Sequence, residues 1–186
     1  MNNQYLTWQA KAPTRAGLYI RTDGFGKVQL LNVSVQSFLD GSSRVYLTDV
    51  SPGYARGPME QLRLVHESID LLPGDERPTS TKFLGPIALP SVPSDRSLSE
   101  AQYALPAEPG IYLLSRDYGH GWVHQYVAIS IHRYLIGETP HDELIAIDLP
   151  SLERRELKGD ERGVILTLVL PEHRRLNLQM LPAQPE

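Results

Sequence analysis

The sequence predicts a mainly β fold, a β-rich α+β chain. It reads as two tandem diverged copies of a small antiparallel β module, packed with pseudo-two-fold symmetry and carrying few short helices. Two observations predict this. The chain resembles itself at several places in the same order, and its apolar residues fall in short runs bounded by Gly, Pro, Asp and Ser.

The self-similarity begins with Pro13-Thr14-Arg15-Ala16-Gly17-Leu18-Tyr19, which matches Pro106-Ala107-Glu108-Pro109-Gly110-Ile111-Tyr112 as Pro-x-x-x-Gly-aliphatic-Tyr. Gly24-Phe25-Gly26-Lys27-Val28 then matches Gly119-His120-Gly121-Trp122-Val123, after a two-residue insertion in the second copy. Leu47-Thr48-Asp49-Val50 resembles Ala146-Ile147-Asp148-Leu149, and Gly74-Asp75-Glu76-Arg77 recurs as Gly159-Asp160-Glu161-Arg162. Ile87-Ala88-Leu89-Pro90 resembles Leu168-Val169-Leu170-Pro171.

Each element follows from this pattern. A strand at Leu18 to Arg21, or Ile111 to Ser115, leads into a turn whose two glycines can take positive φ without a Cβ clash. A return strand runs from Lys27 to Val35, or from Trp122 to Ile131. A third strand covers Arg44 to Val50, or Leu144 to Leu149, and a later one Lys82 to Leu89, or Val164 to Leu170. Short helices are expected at Met59 to Leu64, Ser97 to Ala104 and Leu152 to Leu157. In the middle one Ser97 or Ser99 can cap the start, and Pro106 ends it.

The expected organisation is a first module over residues 1–90, a linker with a short helix over 91–104, a second module over 105–181 and a loose tail over 182–186. The proline- and serine-rich stretch Pro90 to Ser97 marks the linker. The modules can close into one continuous barrel or sandwich, making a single domain, or form two small sheets packed face to face.

Composition bounds the function. A net charge of −4 over 186 residues argues against a nucleic-acid surface, which needs clustered Lys and Arg. The basic cluster Arg154, Arg155, His173, Arg174 and Arg175 reads as a solvated face. Without cysteine there are no disulfides, thiolate metal sites or thiol nucleophiles, and a cytoplasmic location is expected. Met1 to Tyr5 lacks the basic start and apolar core of a signal peptide. The longest apolar run, Val164 to Leu170, is far below the roughly 20 residues of a membrane helix.

The candidate site is the second hairpin. Residues of one parity share a face of an extended strand. Tyr118, His120, Trp122, His124 and Tyr126 therefore form one stripe, and Val123, Val127, Ile129 and Ile131 take the core face. The matching residues of the first copy, Phe25, Lys27, Gln29 and Leu31, are ordinary and half polar. Rigid amphipathic aromatics suit partner binding. The competing reading is that Trp122 and Tyr126 simply cover another sheet.

Other chemistry is less well supported. Of six histidines, His120 and His124 share a face, but their backbones lie about 13 Å apart on a straight strand. One metal could join them only with help from His132, or from His141 with Asp142, so no metal and no cofactor are expected. The Gly-x-Gly pairs lead into strands, as turns do and phosphate loops do not. No Gly-x-Ser-x-Gly elbow is present. Asp49 and Asp148 precede proline turns, where a carboxylate caps backbone N–H groups. The expectation is a non-catalytic module that recognises a protein partner as monomer or homodimer. Small accessory or inhibitor proteins of phage, prophage or secretion loci have this character. The alternatives are a small enzyme with a site between the two β modules using His120, His124, Asp117 and Tyr118, and a structural subunit that assembles through its sheet edges.

Overall fold

The computed structural model describes residues 6–56, 66–71, 81–91, 105–119, 121–149, 151–158 and 164–172. Among these residues every regular element is a strand: β1 (Gly17–Thr22), β2 (Val28–Ser37), β3 (Ser43–Asp49), β4 (Tyr54–Arg56), β5 (His66–Leu71), β6 (Lys82–Ile87), β7 (Gly110–Asp117), β8 (Trp122–Ile136), β9 (Thr139–Asp148), β10 (Arg154–Leu157) and β11 (Val164–Pro171). They form two sheets, each in its own compact unit. No described helix is long and apolar enough to cross a membrane.

The first unit holds an antiparallel sheet in the order β5-β3-β2-β1-β6. Tyr19 of β1 stands opposite Leu31 of β2, and Leu31 stands opposite Asp49 of β3. One face gathers Ala12, Tyr19, Leu31, Val33, Val45, Leu47 and Phe83 into a buried cluster. Leu18, Ile20, Leu30 and Leu84, of the opposite parity, are also buried. Burial on both faces explains why Leu18-Tyr19-Ile20 and Leu30-Leu31 run apolar without alternation. Each such Leu or Ile contributes about 1.5–3 kcal/mol of transfer free energy. Gln9 pairs with Phe83 through two 2.8 Å backbone bonds on the outer side of β6.

The second unit holds the order β10-β9-β8-β7-β11, with β4 added in parallel beside β8 at Tyr54 and Ile131. Tyr112 stands opposite Val127, and Val127 opposite Asp148. Both β6 and β11 slip register where they leave the tyrosine, between Leu18 and Ile20 in one sheet and between Leu168 and Leu170 in the other. One face buries Tyr112, Leu114, Val127, Ile129, Leu144, Ala146, Leu157 and Val164. This matched strand order and register is compatible with two diverged copies.

The tyrosines show what the repeated motif does. Tyr19 donates its hydroxyl to the Arg15 carbonyl at 3.1 Å, and Tyr112 to the Glu108 carbonyl at 2.8 Å. Each phenol thus ties its strand to the Pro-led segment four residues earlier. In both turns the glycines take positive φ as expected, with Gly24 and Gly119 at 79°.

Three expectations change. Leu152 to Leu157 is not a helix. Leu152 takes φ 59° and donates to the Asp148 carbonyl at 2.7 Å, so the chain turns tightly into β10, which pairs with β9. Leu, Glu and Arg favour a helix intrinsically, and a ladder that buries Leu157 overrides that preference. The return strand of the second hairpin runs on to Ile136. The repeat register also shifts by one. Beyond the tyrosine pair, β7 and β8 carry two more cross-strand pairs than β1 and β2, closed by a turn one residue shorter. The insertion is therefore three residues, not two, and by register His124 corresponds to Val28, Gln125 to Gln29 and Tyr126 to Leu30.

The helices expected at Met59 to Leu64 and Ser97 to Ala104, the Gly-Asp-Glu-Arg recurrence, most of the linker and the tail lie outside the described residues, as do His173, Arg174 and Arg175.

Candidate functional site

The β7–β8 hairpin places Trp122, His124 and Tyr126 on one face of β8, and Tyr118 in the turn outside both strands. Asp117 pairs with Trp122, Ser115 with His124, Leu113 with Tyr126 and Ile111 with Ala128. Directly opposed residues share a face, so these side chains lie together. The ladder ends at Asp117 and Trp122, where Asp117 Oδ1 accepts the Gly119 N–H at 2.8 Å and Tyr118 N–H reaches the Gly121 carbonyl at 3.1 Å. This fixes the turn and leaves Tyr118 52% exposed. Trp122, His124 and Tyr126 are half-buried, and Ala128 is buried. His120 lies outside the described residues.

Parity holds for Val127, Ile129 and Ile131, which are buried as expected. It fails for Val123, which is 50% exposed. β9 pairs with β8 only from Val127 onward, so no described strand flanks Val123 on that side.

Tyr126 donates its hydroxyl to the Pro90 carbonyl, and burial raises its phenol above the ordinary tyrosine range. The central polar contact of the face is between Ser115 and His124, with Oγ 2.7 Å from Nδ1. Ser115 is 3% exposed. A nucleophile must meet its substrate, and this hydroxyl is closed off beneath the imidazole. Asp117, named with His124 as an acid–base candidate, belongs to the turn.

Two further polar groupings were not legible beforehand. On the face of the buried cluster, Gln125 donates to Asp148 Oδ1 at 3.0 Å, and Arg155 Nε lies 3.7 Å from the same oxygen. In the first unit Gln29 donates to Asp49 at 2.5 Å and accepts from Arg21 Nε at 3.1 Å. The Gln–Asp pair is thus common to both sheets, whereas the guanidinium comes from β1 in one and β10 in the other. Asp49 also caps its turn through the Ser51 N–H at 3.0 Å, as expected of a carboxylate before a proline. The carboxylate of Asp148 is engaged by Gln125 and Arg155.

The second grouping lies toward the far end of β8. His132 is buried, its Nδ1 is 3.7 Å from Glu143 Oε2, and that nitrogen has no hydrogen-bond partner among the described residues. Tyr134 sits between the rings of His132 and His141, with both centroids 5.9 Å away. Asp142 does not join His141. It takes Arg133 through bonds of 2.8 and 2.9 Å on the opposite face, where Arg133 also covers the Tyr54 ring. Among the described residues no three His, Asp or Glu side chains gather as a metal set.

Ser115 and Gln125 reach their partners through the register of β7 against β8, which the turn between Asp117 and Trp122 sets. Comparison with protein-family models, with curated proteins and with solved structures finds no match to this chain.

Proposed function

We propose that the chain is a non-catalytic binding module that recognises a protein partner through the β7–β8 hairpin, with Tyr118 at its turn and Trp122, His124 and Tyr126 on one face of β8. The observation that carries this reading is where the aromatics sit. Tyr118 and Trp122 occupy the part of the hairpin that extends beyond the register shared with the first sheet. One is exposed and the other half-buried. Residues needed only for folding have counterparts in both sheets, as Tyr19 and Tyr112 do. Exposed aromatic surface on a rigid ladder gives contact area at low cost in rotamer entropy.

The enzyme reading draws on the Ser115–His124 contact. The burial of Ser115 and the turn role of Asp117 weigh against it. The overall acidic charge disfavours a nucleic-acid partner. An accessory or inhibitor role in the cytoplasm, of the phage, prophage or secretion-locus kind, fits a small cysteine-free module.

The test is affinity capture from a lysate of the native host, comparing wild type with a Tyr118→Ser, Trp122→Ser double variant. Tyr126 is left intact because its bond to Pro90 has a structural role. Loss of one captured protein in the variant, with the thermal midpoint kept, is the expected result. Identical capture by both forms contradicts the reading.

A further inference from the structure

The contact between Ser115 and His124 carries a consequence for what the face can bind. Ser115 is 3% exposed, and the one hydrogen bond of its hydroxyl among the described residues is to His124 Nδ1 at 2.7 Å. A hydroxyl has one proton to give and lone pairs to accept with. If Nδ1 carried a proton and donated it to Oγ, the serine's own proton would be buried without an acceptor, at its full desolvation cost. If the serine donates, both atoms are satisfied. The second arrangement makes Nδ1 the bare nitrogen of the ring, and a neutral imidazole then carries its proton on Nε2.

Nε2 makes no hydrogen bond among the described residues, and His124 is half-buried at the surface of the hairpin. Trp122 lies two residues earlier on the same face, and its indole nitrogen is a donor only. The charged side chain that the ladder sets beside Trp122 is Asp117. A negative group disfavours a second anion close by.

We propose that His124 is held as the tautomer protonated on Nε2 and, with the Trp122 indole, presents N–H donors to an uncharged main-chain carbonyl of a polypeptide partner. This rests on the binding reading above and names the chemistry of the same face. Ser115 is then a positioning residue that acts through His124.

The tautomer can be measured on the free protein, whatever the partner. Long-range proton–nitrogen correlation spectra of 15N-labelled protein are recorded at about pH 8.5, where an ordinary imidazole is neutral. The expected result is a bare, hydrogen-bonded Nδ1 and a protonated Nε2 at His124. In Ser115→Ala, Nδ1 should move toward the position of a bare nitrogen without a hydrogen bond. A protonated Nδ1 in the wild type overturns the proposal even if the variant fails to fold, and so does an Nδ1 unmoved in a folded Ser115→Ala.

The acceptor class is tested with two small probes, N-methylacetamide as a main-chain carbonyl and acetate as a carboxylate. N-methylacetamide should shift the His124 Nε2–H and Trp122 indole signals more than those of the exposed His141, and acetate should not. A larger response to acetate, or none beyond that of His141 with either probe, overturns the choice of acceptor. Failure here with capture intact rejects the chemistry alone, whereas failed capture with the predicted tautomer rejects the binding reading.

Discussion

Tyr19 and Tyr112 hold the same place in their sheets: each phenol donates to the carbonyl four residues earlier, and each stands opposite an apolar residue that is itself opposite an aspartate. The buried ring keeps the phenol neutral. For Tyr112 burial, then Glu108 and Tyr54, push its pKa up to about 12, and burial also raises that of Tyr19.

A proton held more tightly by the folded chain makes stability fall as pH rises. The contribution of Tyr112 is complete below the unfolded tyrosine value of about 10 and is lost as pH climbs toward about 12. Denaturant midpoints measured across this range should decline in wild type and decline less steeply in Tyr112→Phe. At neutral pH Tyr112→Phe should cost about 0.5–1.5 kcal/mol for its hydrogen bond, and Tyr19→Phe a similar amount.

Two glycines are required for space. A Cβ at Gly85 would lie 2.5 Å from Tyr19 Cδ1 and 2.8 Å from the Leu18 carbonyl oxygen. At Gly110 it would lie 2.6 Å from the Leu170 carbonyl oxygen. Gly85→Ala and Gly110→Ala should each destabilise by about 1–3 kcal/mol in equilibrium unfolding. At Gly53 the nearest atom is the tip of Glu172 at 3.8 Å, so Gly53→Ala should stay within about 0.5 kcal/mol of wild type.

The Gln–Asp pairs should be coupled. Asp148→Ala removes the acceptor of Gln125 and the carboxylate beside Arg155, and should cost about 1–3 kcal/mol. A double-mutant cycle with Gln125→Ala should return a coupling energy of about 0.5 kcal/mol or more. The same cycle on Gln29 and Asp49 should agree in sign. Additive costs would show that the amide and the carboxylate act independently.

His132 should tolerate loss of its polarity. Its Nδ1 is buried without a hydrogen bond among the described residues, and Glu143 stands off at 3.7 Å. An apolar ring of similar shape removes a buried nitrogen that has no partner among the described residues, and with it that nitrogen's desolvation cost. His132→Phe should therefore keep or raise the thermal midpoint. A fall of many degrees would show that the imidazole makes a bond essential to the fold.

Most of the fold could be read from the residues. The strands around Tyr19, Leu31, Leu47, Tyr112, Val127 and Ala146 are short apolar runs punctuated by Gly, Pro and Asp. Segments governed by pairing were hidden. Leu152 to Leu157 favours a helix by composition and becomes β10 because β9 offers it a ladder. His66-Glu67-Ser68-Ile69-Asp70-Leu71 is mostly polar and is a strand because β3 pairs with it. His132-Arg133-Tyr134 looks like a strand's end, yet β4 and β9 extend β8 through it. Parity puts Trp122, His124 and Tyr126 on one face of β8, but it does not reach Tyr118, which lies in the turn. The Ser115–His124 contact and the Gln–Asp pairs were not visible, because each depends on cross-strand register, which pairing sets.

The claim that the extended second hairpin binds a protein is tested most directly by photo-crosslinking in cells of the native host. A photoreactive amino acid is placed at position 118 in one variant and at position 25 in another, where Phe25 is 89% exposed at the tip of the first hairpin. A discrete crosslinked adduct is expected from position 118 and only background from position 25. Equal adducts from both tips, or an adduct from position 25 alone, would contradict the claim.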